Sequence, residues 1–290
     1  MRFLNVVHTV EAVGRLVRAS GDTPPQTFAD LPDAYRRAIA RKRPYAPPPE
    51  GVAITFEDGA WGSYLSDNKV FENIFRGVAA TREADRELWS AQLEAAIRYV
   101  RETFPELGLI TDLLVTDVVL LTSQATGGGS ASQLPGLVAI SPGPDWRVND
   151  FAETIVHEAT HLNLFVLDMV NRLYTLPTDE LAQHNNRVVS AVKVGELRPF
   201  DKAFHSAIVA VPLMYMQHRR GKTDLVNAFA VSLNDCCQGL NGMKDLFTPY
   251  GQGLLADLTG FAQTLDFDQV RAGFRRIELV ASVTRPGSVG

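Results

Sequence analysis

Cysteine is scarce in this 290-residue chain: there are two, Cys236 and Cys237, and they are adjacent. Neighbouring thiols cannot staple distant segments, which excludes a disulfide framework and makes a reducing compartment the expectation. A basic excess is missing too. With 28 Lys and Arg against 33 Asp and Glu, mixed along the chain for a formal charge of −5, the sequence lacks the cations that a dedicated nucleic-acid binder sets against phosphates. No uncharged run of 18 residues occurs, so no membrane span is expected. The opening "MRFLNVVHTVEAVGRLVRAS" has no continuous apolar core of a secretory leader, because His8, Thr9, Glu11 and Arg15 interrupt it. The expected location is the cytoplasm. No internal repeat is visible, and a hydrophobic fraction of 46% with 21% charged residues places the chain among globular proteins.

What is present is mostly helical pattern. Phe3, Leu4, Val6, Val7, Val10, Val13, Leu16 and Val17 recur near a helical period, and "RKRPYAPPPEG" at 41–51 breaks the pattern with proline. The expected organisation is an N-terminal helical arm and proline-rich linker over 1–50, followed by one catalytic domain over 51–290. Arg41 to Arg43 are expected at a solvated helix end. Residues 67–104 read as helix with Pro105 as the stop, 113–123 as a buried strand, the glycine-rich 124–136 as a flexible loop, and "LVAIS" as a second strand. The triple glycine lacks the lysine and following helix of a phosphate loop. Asp150 with Glu153 has the form of a capping box that starts a helix running to about Tyr174. "HNNRVVSAVKVG", "FHSAIVAVPLMYMQHRR" and "DLVNAFAVSLNDCCQGLNGMKDLF" read as further helices, the vicinal cysteines being small buried hydrophobes. The expected fold class is α+β, mostly α-helical, with a small β-sheet packed on the helix of 150–174 and a C-terminal helical bundle.

That helix carries the chemistry. "IVHEATHLNLF" places His157 and His161 four residues apart with Glu158 after the first, so both imidazoles lie on one helical face beside a carboxylate. The apolar stripe Phe151, Ile155, Ala159, Leu162 and Val166 makes the carrier a largely buried, rigid helix. Two imidazoles do not complete a catalytic metal site, so a third ligand must come from elsewhere. Glu180 lies 19 positions after His161, a separation seen in one group of zinc aminopeptidases, but "LPTDELAQH" does not repeat their surrounding signature. Glu196 in "VGELRPF" is another carboxylate. The remaining candidate is His205, which follows an Arg-Pro pair and opens a strongly apolar helix, where a buried imidazole needs a partner. Asp168, seven beyond His161, is a candidate hydrogen-bond partner for an imidazole, with a solvent-facing carboxylate as the default.

"ETIVHEATHLNLF" followed by "LRPFDKAFHSAIVAVPLM" resembles the 2-oxoglutarate-dependent HExxH-type peptide β-hydroxylases of bacterial peptide-modification clusters. The resemblance covers about residues 137–217, extends more loosely over the helical C-terminal part, and does not reach the N-terminal arm. It implies an iron(II) site in place of zinc, with His157, His161 and His205 at the metal-binding positions, and hydroxylation of a β-carbon in a peptide, often a ribosomal one, using 2-oxoglutarate and O₂. Three facial ligands would leave the open positions such chemistry needs. The far carboxylate of 2-oxoglutarate calls for a forked cation, for which Arg198, seven residues before His205, is the first choice, ahead of Lys202 and Arg187. Glu158 would then orient a ligand or substrate, whereas in the alternative, a zinc metallopeptidase, it would be the general base. Either way a peptide is expected along the edge of "LVAIS" by strand addition, with the glycine loop opening to admit it. A non-catalytic peptide-binding protein with structural histidines is the third reading, and the oligomeric state is not specified.

Overall fold

The computed structural model describes residues 1–193 and 195–272. The chain is mostly helical with one small mixed sheet, an α+β arrangement, and its contacts divide it into two compact units. One comprises Val13–Phe165, and the other joins Met1–Ala12 to the described chain from Val166 onward. Among the described residues no helix is long and apolar enough to cross a membrane.

Helix α1 (Val6–Ala19) is the first α-helix, and its part from Val13 belongs to the first unit, which then holds α2 (Leu31–Ala40), β1 (Ala53–Phe56), α3 (Ala60–Asp67), α4 (Glu83–Thr103), α5 (Pro105–Leu114), β2 (Asp117–Leu120), β3 (Gly127–Ser130) and β4 (Leu137–Ser141). The first 18 residues of α6 (Val148–Asn171) complete it. The sheet order is β1-β2-β4-β3, with the first three parallel and β3 antiparallel at the edge. Strands β2 and β4 are buried on both faces, which is why they read as unbroken apolar runs rather than alternating ones. Trp61, Leu65, Phe71 and Phe75 cover the face that presents Val119, Leu137 and Ala139. Alternation turns Val118, Leu120, Val138 and Ile140 to the opposite face.

A polar knot fixes the proline-rich segment to this sheet. Arg43 is buried, pairs with Asp117 through Nη2, and donates from Nη1 to Thr116 Oγ1 at 3.0 Å and to the Pro135 carbonyl at 3.1 Å. Trp61 Nε1 donates to the other Asp117 oxygen at 3.2 Å, and the guanidinium lies 4.9 Å from the Trp61 ring. The expectation of a solvated end for the whole run is therefore corrected for Arg43, while Arg41 is exposed and donates to the Ser20 carbonyl.

Other local expectations change as well. Of the helix expected over 67–104 only 83–103 forms, as α4: α3 ends at Asp67, Lys69 and Gly77 take positive φ, and the chain between α3 and α4 folds back in turns. Pro105 stops α4 and also begins α5, where its missing N–H costs nothing. Asp150 is not the N-cap of α6: it sits in the first turn and accepts the Arg147 N–H at 2.7 Å, the reach-back half of a capping box.

The second unit contains α7 (Thr178–Leu181), β5 (Arg187–Val189), β6 (Leu197–Pro199), α8 (Phe200–Arg219), α9 (Thr223–Gly242), α10 (Pro249–Thr264) and α11 (Phe267–Ala272). Helix α9 packs against α8 and α10. The stretch 184–195, expected as helix, instead gives β5, which pairs antiparallel with β6. The β-branched Val188 and Val189 favour the strand, and Ser206 and Ser232 hydroxyls on α8 and α9 bind the Ala191 N–H at 3.1 Å and its carbonyl at 2.6 Å. Cys236 and Cys237 are free, buried thiols, pushed up to about 12 by burial and therefore inert.

Candidate metal centre

Helix α6 turns the sequence spacing into geometry. Phe151, Ile155, Ala159 and Leu162 are buried along one side, which leaves His157 and His161 half-buried on another. Their Nε2 atoms lie 3.1 Å apart, and the His161 ring stacks on Phe165 with centroids 6.3 Å apart and planes 19° apart. Two bonds of about 2.1 Å meeting near a right angle span about 3.0 Å, whereas at a tetrahedral angle they span about 3.4 Å. The pair is therefore spaced as two adjacent ligands of one ion would be.

Glu158 points elsewhere on the same turn. Its Oε2 accepts from Ser130 Oγ on β3 at 2.7 Å, and its Oε1 lies 3.8 Å from His157 Nε2. Burial raises the carboxyl to about 7, against the opposing pull of the Ser130 hydrogen bond. The glycines of β3 make room for it. A Cβ at Gly128 would come within 2.6 Å of Glu158 Oε1 and 2.9 Å of Thr154 Cγ2, so only glycine lets the strand cross the helix this closely. One residue on, a Cβ at Gly129 would face Ile74, Phe71 and Phe75 on the other side of the sheet. Sequence reading missed Ser130 and Gly128, because glycine's weak strand propensity hides β3 inside an apparent loop.

The strand expected to receive a peptide is also corrected. "LVAIS" is β4, paired with β2 on one side and β3 on the other, so it has no open edge. The segment expected as a flexible gate supplies the edge itself, and no other strand among the described residues pairs with it.

The remaining site residues belong to the second unit. His205 is buried on α8 and driven down to about 3, first by burial and then by the charges of Lys202 and Arg198, so its imidazole is neutral at physiological pH. Arg198 on β6 is half-buried and lies 3.9 Å from Glu196, and Lys202 is 3.3 Å from Asp201. Glu196 is exposed and also within 3.7 Å of Lys193, and Glu180 is exposed on α7. Arg187 donates to the Leu197 carbonyl across the β5–β6 pair at 3.2 Å. Asp168 is half-buried and caps the end of α6 by accepting the Leu173 N–H at 2.7 Å, so the solvent-facing default is corrected. Among the described residues no three His, Cys, Asp or Glu side chains are grouped so as to hold a metal ion. The structure thus brings together His157, His161 and Glu158, with Ser130 added. No protein-family model matches the chain, and no curated protein matches it either.

Proposed function

We propose that the protein is an iron(II)- and 2-oxoglutarate-dependent hydroxylase that acts on the β-carbon of a residue in a peptide. The observation that carries this reading is the 3.1 Å separation of the His157 and His161 nitrogens, which suits two adjacent ligands of one metal ion. The sequence signature adds His205 as third ligand, and its neutrality removes the protonation that would oppose ligation. Arg198 is assigned to the distal carboxylate of 2-oxoglutarate, and its influence on the His205 imidazole supports a location near the proposed ligand. When bound, iron and 2-oxoglutarate supply a reaction in which O₂ takes two electrons from decarboxylation to succinate and CO₂ and two from the C–H bond that becomes C–OH.

The protein's own groups have separate tasks. The imidazoles of His157 and His161 present adjacent ring nitrogens, Ser130 fixes Glu158 against the metal-binding turn, and the open edge of β3 offers main-chain groups to an extended peptide. Glu158 positions the site without needing to deprotonate water. Anaerobic purification, metal analysis and measurement of succinate release from 2-oxoglutarate test the proposal. Iron with succinate release is the expected result, and His205→Ala should lower metal content.

A second reading, a zinc metallopeptidase, is favoured by one feature: a carboxyl held near 7 and 3.8 Å from His157 is suited to general-base work on a metal-bound water. Peptide cleavage that is stopped by chelation and restored by zinc, with no succinate formed, would put this reading first. Glu158→Gln separates the two, abolishing turnover in a peptidase and sparing metal binding with residual turnover in a hydroxylase.

A further inference from the structure

We propose that Ile74 is a specificity-determining residue that reads the side chains flanking the reacting residue of a peptide laid along β3. This rests on the peptide reading above and deepens it. The argument begins with alternation. Residues of β3 face the two sides of the sheet in turn, Gly128 and Ser130 toward Thr154 and Glu158 on α6, Gly129 toward Ile74, Phe71 and Phe75. A peptide added to the free edge continues the pleat, because the unpaired N–H and C=O groups there accept only an extended backbone in register.

Its side chains must therefore alternate as well. Those beside Gly128 and Ser130 project to the α6 face, where Thr154 and Glu158 lie, with His157 Nε2 3.8 Å from Glu158 Oε1. Those beside Gly129 project to the opposite face, within the roughly 5 Å that separates cross-strand neighbours. The three side chains over Gly129 are not equivalent there. Phe71 and Phe75 are 6% and 5% exposed and belong to the core under the sheet, whereas Ile74 is 43% exposed with its Cδ1 3.3 Å from the position a Gly129 Cβ would take. The absence of a side chain at Gly129 leaves the outer flank of Ile74 open to the incoming residue. A large exposed aliphatic side chain at that spot rewards an apolar neighbour and offers nothing to a polar one. The inferred substrate is an extended peptide in which the residue to be modified is flanked on one or both sides by aliphatic residues.

The probes are fluorescein-labelled, capped peptides of alternating composition, acetyl-(Val-Asn)₄-amide and acetyl-(Ser-Asn)₄-amide, with binding to the intact protein followed by anisotropy. The valine peptide is expected to bind about tenfold more tightly. Ile74→Ser should reduce that preference to about threefold or less, while Ile74→Val preserves it. N-methylation at one alternate set of peptide nitrogens should abolish binding and at the other set should not, which distinguishes strand addition from adhesion. Equal binding of both peptides, or an unchanged preference in Ile74→Ser, overturns the assignment, and so does failure of both peptides to bind. Because this readout is affinity, a protein that binds as expected but releases no succinate refutes the hydroxylase reading alone.

Discussion

Asp117 and Glu158 lie in the same unit and are almost equally inaccessible, at 3% and 2% exposure, yet they are treated oppositely. Asp117 receives a guanidinium, an indole N–H and the Thr116 hydroxyl. Among the described residues Glu158 receives one hydroxyl, from Ser130, and has the His157 imidazole at 3.8 Å in place of a guanidinium. A buried charge with a full set of partners holds segments together, here the chain around Arg43 and Trp61 against the start of β2. A buried carboxyl with one neutral partner gives up charge instead, and its proton becomes mobile near neutral pH. The same residue chemistry thus serves architecture beside β2 and leaves a carboxyl that titrates near neutrality beside β3.

The largest expected effect breaks the first half of that contrast. Asp117→Ala strands the Arg43 guanidinium in the core and should cost about 3–5 kcal/mol in urea unfolding, with metal content of the folded fraction unchanged. The next concerns the metal-free protein and Glu158. Its folded value of about 7 lies above the ordinary 4.5, so its contribution to stability is complete below 4.5 and is lost as pH rises through 7. The loss should reach about 3 kcal/mol by pH 8, and Glu158→Gln should abolish that slope in chemical denaturation. His205 has the reverse sign. Its folded value of about 3 lies below 6.5, so its contribution is complete above 6.5 and is lost as pH falls toward 3. At pH 5 the metal-free wild type should already have lost about 2 kcal/mol that His205→Asn does not lose. The smallest effect is that of Ser130→Ala, which removes the one hydroxyl holding Glu158. It should cost about 1 kcal/mol and move the Glu158 titration further upward, observable by carboxyl NMR or infrared difference spectra.

Legibility in the sequence followed the range of the interactions. His157 and His161 could be paired from spacing alone, because a helical turn brings them together whatever surrounds it. Helices α6, α8 and α9 were readable for the same reason, as was β4 from its apolar run. Asp150 was placed in a cap but in the wrong half of it, since N-cap and third-residue roles differ only by where the helix begins. Arg43 looked like its solvated neighbours until a partner 74 residues away buried it. Gly127–Ser130 could not be seen as a strand, since its conformation is imposed by β4 on one side and its composition by Glu158 and Thr154 beneath it. Val188 and Val189 carried a strand signal that a helical reading of their polar neighbours obscured.

The open rim of β3 also bears on solubility. An unpaired strand is a template for any extended chain, including a sister molecule, and proteins usually blunt such rims with lysine, proline or a bulge. Here the blunting agent is glycine. Three residues with neither side-chain adhesion nor conformational stiffness make self-pairing a poor bargain, because ordering them is entropically costly and no zipper of side chains forms in return. A ligand that gains further contacts from the faces above and below can overcome that cost, and a second copy of the same bare rim cannot. What the strand leaves out is thus the side-chain zipper that would reward pairing with its own copy.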